Sequence, residues 1–81
     1  MNLKGKVQQY NSGSTTATIT LTNADALSLT IINDGATQLT IALNGMTIPV
    51  NSGEVFEDNF APFHEIIITT TSAYRLLLRW D

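Results

Sequence analysis

Apolar and polar residues alternate along much of this chain, and the alternation is clearest between Leu39 and Val50. A period of two places successive side chains on opposite faces of a β-strand. In the middle of the segment stands Asn44-Gly45, a dipeptide that favours the positive φ values of a type I′ turn. A two-residue turn there pairs Leu43 with Met46, Ile41 with Ile48 and Leu39 with Val50. A shift by one residue would mix the two faces, so the segment predicts an antiparallel hairpin in one register.

Segments of the same kind recur along the chain at the spacing of roughly eight to twelve residues that is typical of sandwiches and barrels. They cover residues 4–10, 15–22, 27–33, 39–43, 46–50, 54–60, 64–70 and 74–80. The pattern predicts an all-β fold, a small antiparallel β-sandwich or jelly-roll-like domain of about eight short strands. Residues 1–81 form a single domain in this interpretation, with residues 1–14 as a candidate extended N-terminal arm.

The turn Asn33-Asp34-Gly35 leaves two connections open. If the chain reverses directly, a loop of odd length centred on Gly35 sets Ile31 opposite Leu39, and Gly35 then takes a positive φ. A connection between the two sheets is the alternative.

Pro49 indicates where its strand lies. In the predicted hairpin it stands opposite Thr40, and its missing N–H points away from that partner strand. Proline in a sheet is confined to edges and breaks in the pairing. We therefore expect residues 46–50 to form an edge strand.

The last two segments, residues 64–70 and 74–80, carry aliphatic side chains on both faces, although only one face can point into the core. A loop centred on Ser72 would pair them directly, with Ile66 opposite Leu78, Ile68 opposite Leu76, Ile67 opposite Leu77 and Glu65 opposite Arg79. A two-layer sandwich buries one face of each sheet, and contiguous apolar residues on the other face mark an interaction surface. We expect a subunit interface at Ile67, Leu77 and Ile32; a loop of the chain folded over these residues is the alternative.

Composition and charge narrow the choice of partners. The chain has 81 residues, a formal charge of −3 and only four basic residues, so it lacks the basic patch that nucleic-acid binding requires. No apolar run is long enough to span a membrane, and no leader-like segment follows Met1. The absence of cysteine fits a cytoplasmic protein and excludes disulfides. Because so small a domain is only marginally stable alone, we expect a homo-oligomer.

The candidates for chemistry are few. The single histidine, His64, precedes Glu65, but neighbours in a strand point to opposite faces, which argues against an acid–base couple. Glu54, Glu57 and Asp58 are the densest acidic cluster, yet their spacing matches no calcium loop. The sequence therefore predicts neither enzymatic activity nor a metal or cofactor.

The aromatic residues suggest a rival function. Trp80, Tyr74 and Tyr10 would suit a sugar-binding platform, as in carbohydrate-binding modules. Tyr74 and Trp80, however, share the face of Leu76 and Leu78 and are expected in the core. Tyr10 remains as the candidate ligand-facing aromatic residue.

A series of turns and corners carries a resemblance to a known class of proteins. The motifs are Asn33-Asp34-Gly35, Leu43-Asn44-Gly45, Asn51-Ser52-Gly53-Glu54 with Phe56, Pro62-Phe63 and Tyr74-Arg75-Leu76. Over residues 27–81 the chain resembles small β-sandwich proteins of tailed bacteriophages and prophages, which decorate heads or build tail and fibre parts. The resemblance implies a non-enzymatic, symmetric and trimeric virion protein, made in the bacterial host cytoplasm and docked on a larger phage assembly. It carries over no binding residue.

Overall fold

The computed structural model describes residues 2–81, which form eight strands and no helix. The strands are β1 (Lys6–Gly13), β2 (Ala17–Thr20), β3 (Ala26–Asn33), β4 (Leu39–Leu43), β5 (Met46–Val50), β6 (Val55–Phe63), β7 (Glu65–Thr69) and β8 (Tyr74–Trp80). Since these residues contain no helix, none of them forms a helix that could cross a membrane.

The strands make two four-stranded antiparallel sheets, which confirms the predicted β-sandwich. Sheet A has the order β1-β8-β3-β6, and sheet B has the order β2-β7-β4-β5. The pairs β1–β8, β2–β7, β3–β6 and β4–β5 are nested inside one another along the sequence. This is the pairing of a long hairpin rolled up on itself, and it is the topology of an eight-stranded jelly roll.

The β4–β5 hairpin has the predicted register. Leu43 pairs with Met46 and Ile41 with Ile48, and the turn residues Asn44 and Gly45 have φ values of 49° and 74°. The strand that contains Pro49 is an edge strand of sheet B, as expected.

The direct reversal considered at Gly35 is wrong, because β3 and β4 belong to different sheets. The alternative, a connection between the sheets, is what the chain adopts. Gly35 does not take a positive φ. Its lack of a side chain serves a close approach instead, since a Cβ atom there would overlap the side chain of Ser72.

The predicted pairing of the last two segments is also wrong, because β7 lies in sheet B and β8 in sheet A. The turn between them is shaped by Thr70, whose Oγ1 accepts a bond from Ser72 N (3.1 Å) and donates one to Ser72 O (2.8 Å). The inward rows were identified correctly, since Ile66, Ile68, Leu76 and Leu78 are all buried. They meet across the sandwich instead of side by side in one sheet.

The core lies between the sheets, and β1 adds no apolar side chain to it. The buried apolar residues come from all seven remaining strands and include Leu29, Ile31, Ile41 and Tyr74. The side chains of Gln9 and Asn11 in β1 bond to each other instead (2.7 Å). Backbone pairing with β8 holds β1 in sheet A, with a bulge between Val7 and Gln9.

Candidate interaction surface

The outer face of sheet A carries apolar side chains from all four strands, some exposed and some half-buried. Residues opposite one another in antiparallel strands point to the same face, so the register defines the rows of this face. One row is Tyr10, Leu77, Thr30 and Glu57, and the next is Ser12, Arg75, Ile32 and Val55. A third row, formed by Val7, Arg79, Ser28 and Asn59, lies at one end.

An apolar stripe crosses this face diagonally from one edge strand to the other. It consists of Tyr10 on β1, Leu77 on β8, Ile32 on β3 and Val55 on β6. Tyr10 is 56% exposed and Val55 is 59% exposed, while Leu77 and Ile32 are half-buried. A stripe of this kind on a sheet face is the feature that marks contact surfaces.

The charged side chains beside the stripe are already bonded within the chain. Arg75 donates from Nε to Asp34 Oδ2 (2.6 Å) and from Nη2 to Oδ1 (2.9 Å). These hydrogen bonds hold the pKa of the Asp34 carboxyl below its ordinary value and raise the pKa of Arg75. A partner covering the stripe would therefore meet an ion pair that is already formed.

A second polar network ties the central strands to β6. Arg79 Nη1 donates to Thr30 Oγ1 (2.8 Å), and Thr30 Oγ1 donates to Glu57 Oε2 (2.9 Å). The network explains why Thr30 is buried although it points outward. It crosses sheet A from β8 to β6 and fixes the row next to Val55.

The N-terminal segment covers one end of the same face. Lys4 N donates to Asn59 Oδ1 (2.7 Å), Ser28 Oγ donates to Lys4 O (2.7 Å), and Asn59 Nδ2 donates to Asn2 O (2.9 Å). Gly5 passes so close to the backbone of Trp80 that a Cβ atom would lie 2.7 Å from Trp80 Cα. The segment covers Ser28 and Asn59, while Val7 at the other end of the same row is 51% exposed, and it leaves the stripe open.

The structure separates the residues that the sequence placed in one patch. Leu77 and Ile32 share the outer face of sheet A with Tyr10, but Ile67 lies on the outer face of sheet B, because β7 and β8 belong to different sheets. Ile67 is 37% exposed and has Thr18 and Ala42 as its cross-strand neighbours. The expected neighbourhood of Ile67 and Leu77 is therefore wrong.

Sequence reasoning overlooked Val55. Its neighbour Phe56 packs against the core, and alternation along a strand then directs Val55 outward. That signal was present in the sequence, but the strands beside Val55 could not be inferred from it.

An open cleft of about 550 Å³ lies at one end of sheet B, between the β4–β5 turn and the corner that joins β6 to β7. Asn44, Met46, His64, Glu65 and Ile67 are among its lining residues. His64 Nδ1 lies 4.0 Å from Asp25 Oδ1, and both side chains are well exposed.

Acidic side chains do not converge on a metal site in the part of the chain that the structure describes. No group of three or more His, Cys, Asp or Glu side chains among residues 2–81 could hold a metal ion. Glu54 Oε1 accepts from Asn51 N and Asp58 Oδ1 accepts from Asn59 N, each in its own local turn or strand contact.

Comparisons with protein-family models, curated proteins and solved structures found no match to this chain.

Proposed function

We propose that this chain is a non-enzymatic structural protein that acts by associating with further copies of itself through the outer face of sheet A. The observation that carries the proposal is the apolar stripe of Tyr10, Leu77, Ile32 and Val55, which the N-terminal segment leaves uncovered. Burying such a stripe against a second subunit would gain roughly 25 cal/mol per Å² of apolar surface removed from water.

The polar groups around the stripe favour a contact over a reaction. The ion pair of Arg75 with Asp34 and the network of Arg79, Thr30 and Glu57 leave few charges to be paired anew. An interface with an apolar centre and internally bonded polar groups at its margin avoids burying unpaired charge.

We propose a bacteriophage virion as the setting, with the chain as a capsid-decoration, tail or fibre component in a trimeric assembly. The jelly-roll topology supports this setting, since viral capsid domains use it, but lectin domains and cupins use it too. The test is peptide mass spectrometry on phage virions purified from a lysate of the host bacterium. Absence of the chain from such particles would refute the setting without touching self-association.

Self-association is tested by light scattering across micromolar concentrations. We expect a mass above that of one 8.8 kDa chain. Leu77→Asp should reduce the mass and keep the β-sheet circular dichroism, because Arg75 and Arg79 flank position 77 on the same face. Ile67→Asp is the matched control on the opposite face and should leave the mass unchanged. A monomeric parent protein, or loss of assembly with Ile67→Asp alone, would contradict the proposal.

Carbohydrate binding is the second candidate, and the exposed ring of Tyr10 favours it. Tyr10 stands on a sheet face beside polar Ser12 and Arg75, an arrangement on which a sugar ring could stack. Isothermal titration with a panel of bacterial surface glycans tests it. Binding that disappears with Tyr10→Ala and persists with Leu77→Asp would favour this function over self-association.

A further inference from the structure

The four edge strands of the sandwich differ in how open they are to a neighbouring strand. Sheet B ends in β2, which has four residues, and in β5, which contains Pro49. Short strands and proline are devices that discourage edge-to-edge pairing. Sheet A ends in the longer strands β1 and β6, of eight and nine residues, and both the bulge of β1 and Pro62 of β6 lie outside their regularly paired parts. Each is regularly paired to its inner neighbour over five residues, 9–13 in β1 and 55–59 in β6.

The two edges of sheet A carry opposite charge. β1 contains Lys6 and no acidic residue, whereas β6 contains Glu57 and Asp58 and no basic residue. Lys6 pairs with Trp80, which packs against the core, and Asp58 pairs with the buried Leu29. Both charged side chains therefore stand on the inner side of sheet A, one at each edge.

The two edges also carry the two ends of the apolar stripe. Tyr10 and Val55 occupy neighbouring rows at opposite edges of the outer face. Joining the edges row to row would place Val55 of one copy diagonally beside Tyr10 of the next. Diagonal neighbours on one face lie within reach of an aromatic side chain.

We propose that copies of this chain join head to tail, with β1 of one copy pairing against β6 of the next so that sheet A continues through the junction. This inference rests on the proposed self-association and places a contact at the two edges of sheet A, where the stripe ends. All neighbours in sheet A are antiparallel and the sheet has four strands, so β1 and β6 run in opposite directions. Copies in the same orientation thus present antiparallel edges to each other.

The junction satisfies the exposed groups of both edges. Row to row, Tyr10 stands opposite Glu57 of the next copy, and Lys6 stands diagonal to Asp58 of the next copy on the inner side. An inward-pointing charge blunts an edge against an apolar or like-charged strand. Here β6 of the next copy brings Asp58 close to Lys6, so the charge that repels other strands favours this one.

A contact between two different edges has a consequence for symmetry. Head-to-tail contacts close into rings where the rotation allows and otherwise continue as filaments. The trimer implied by the resemblance to phage proteins is a ring of this kind, with three identical junctions.

The experiment mixes two variants, each blocked at one edge. Tyr10→Glu places a carboxylate opposite Glu57 of the next copy. Val55→Glu replaces the apolar contact with Tyr10 of the next copy by a carboxylate, and the nearby Arg75 is already bonded to Asp34. Both positions are exposed, so circular dichroism should remain that of the parent. We expect each variant alone to assemble at least about tenfold more weakly than the parent. An equimolar mixture should form a heterodimer of twice the 8.8 kDa chain mass, because one intact β1 edge meets one intact β6 edge.

Met46→Glu is the matched control, since Met46 is 43% exposed at the turn of the β4–β5 hairpin and lies on neither edge of sheet A. Native mass spectrometry over a concentration series should show parental assembly for this variant. If either edge variant unfolds, Lys6→Glu and Asp58→Lys replace it: each should weaken assembly, and the two together in one chain should restore it. Added salt should weaken the parental junction.

Other outcomes separate the ideas. If Val55→Glu still assembles while Tyr10→Glu does not, β1 pairs with itself about a two-fold axis and the head-to-tail junction is refuted. If both variants dissociate, their mixture forms no heterodimer and the charge exchange restores no assembly, then copies stack by their faces. That result would refute the edge junction and leave the proposed self-association intact. A monomeric parent protein overturns both.

Discussion

Asn33 is the polar side chain on which the crossing from sheet A to sheet B most depends. It ends β3 and is 1% exposed. Its Nδ2 donates to Thr37 O and to Val50 O, both at 2.9 Å, and its Oδ1 accepts from Gly35 N at 3.0 Å. Asn33→Ala removes all three bonds and leaves the buried carbonyl of Val50 without this donor.

The cost of this change is large for so small a domain. Each hydrogen bond contributes about 0.5–1.5 kcal/mol net, so three contribute about 3 kcal/mol. At roughly 0.05–0.15 kcal/mol per residue, the free energy of unfolding of the whole chain is about 4–12 kcal/mol. We therefore expect Asn33→Ala to remove about a quarter to three quarters of the stability and to lower Tm by about 10–25 °C.

The assay is urea unfolding followed by the fluorescence of Trp80 and by circular dichroism. It is repeated at several protein concentrations, because self-association would add to the apparent stability. Gln38→Ala is the matched control: the exposed Gln38 side chain makes one bond to Asn51 Oδ1, and its loss should cost under about 0.5 kcal/mol. Equal losses in the two variants would refute the reasoning.

Asn33→Asp sharpens the test, because it keeps the acceptor for Gly35 N but turns the donor pair into an acceptor facing two carbonyl oxygens. Burial beside these carbonyls raises the pKa of the introduced carboxyl in the folded state above its unfolded value. The folded state then binds the extra proton, so stability is greatest in acid and is lost as pH rises through the folded pKa. A variant whose stability rises with pH would contradict this assignment of the side-chain amide.

Three further predictions concern the turns and the ion pair. Gly45→Ala should cost about 1 kcal/mol in urea unfolding, because φ is +74° there and the added Cβ meets nothing within 4 Å; a neutral result would argue against the type I′ turn. Gly35→Ala should cost about 1–3 kcal/mol through overlap with Ser72, and Ser72→Gly should recover much of it. Arg75 lowers the pKa of Asp34 in the folded state, so the ion pair stabilises the fold above the unfolded pKa of Asp34, and this stability is lost as pH falls through the folded pKa. Asp34→Asn should therefore flatten the dependence of unfolding free energy on pH below about pH 4. An unchanged dependence would show that the pair contributes nothing.

The sequence predicted local pairing well and pairing between distant segments poorly. The Asn44-Gly45 turn and the alternation on either side of it are sufficient to set one hairpin. Alternation also identified the inward rows of β7 and β8. It gave no information about which sheet each strand joins, and the turns at Gly35 and Ser72 both carry the chain across the sandwich instead of back along the same sheet.

The same limit applies to the candidate surface. Ile32, Leu77 and Tyr10 were each expected to point outward, and the structure brings them to one face. Their common location depends on β8 lying between β1 and β3, which no local pattern encodes. Ile67 was grouped with Leu77 only through a hairpin that does not form. Val55 joins the stripe through the β3–β6 pair, which links residues far apart in the chain.

The nested strand pairs also determine when the molecule can be completed during synthesis. Strand pairing that starts at the β4–β5 hairpin brings β3 near β6 and then β2 near β7, so that each later pairing closes only a short additional loop. The last step joins β1 to β8, and β8 is the last of the eight strands in chain order. The edge strand that we propose to link neighbouring copies therefore has no partner strand until β8 has been made, and only a chain with all eight strands is competent to assemble.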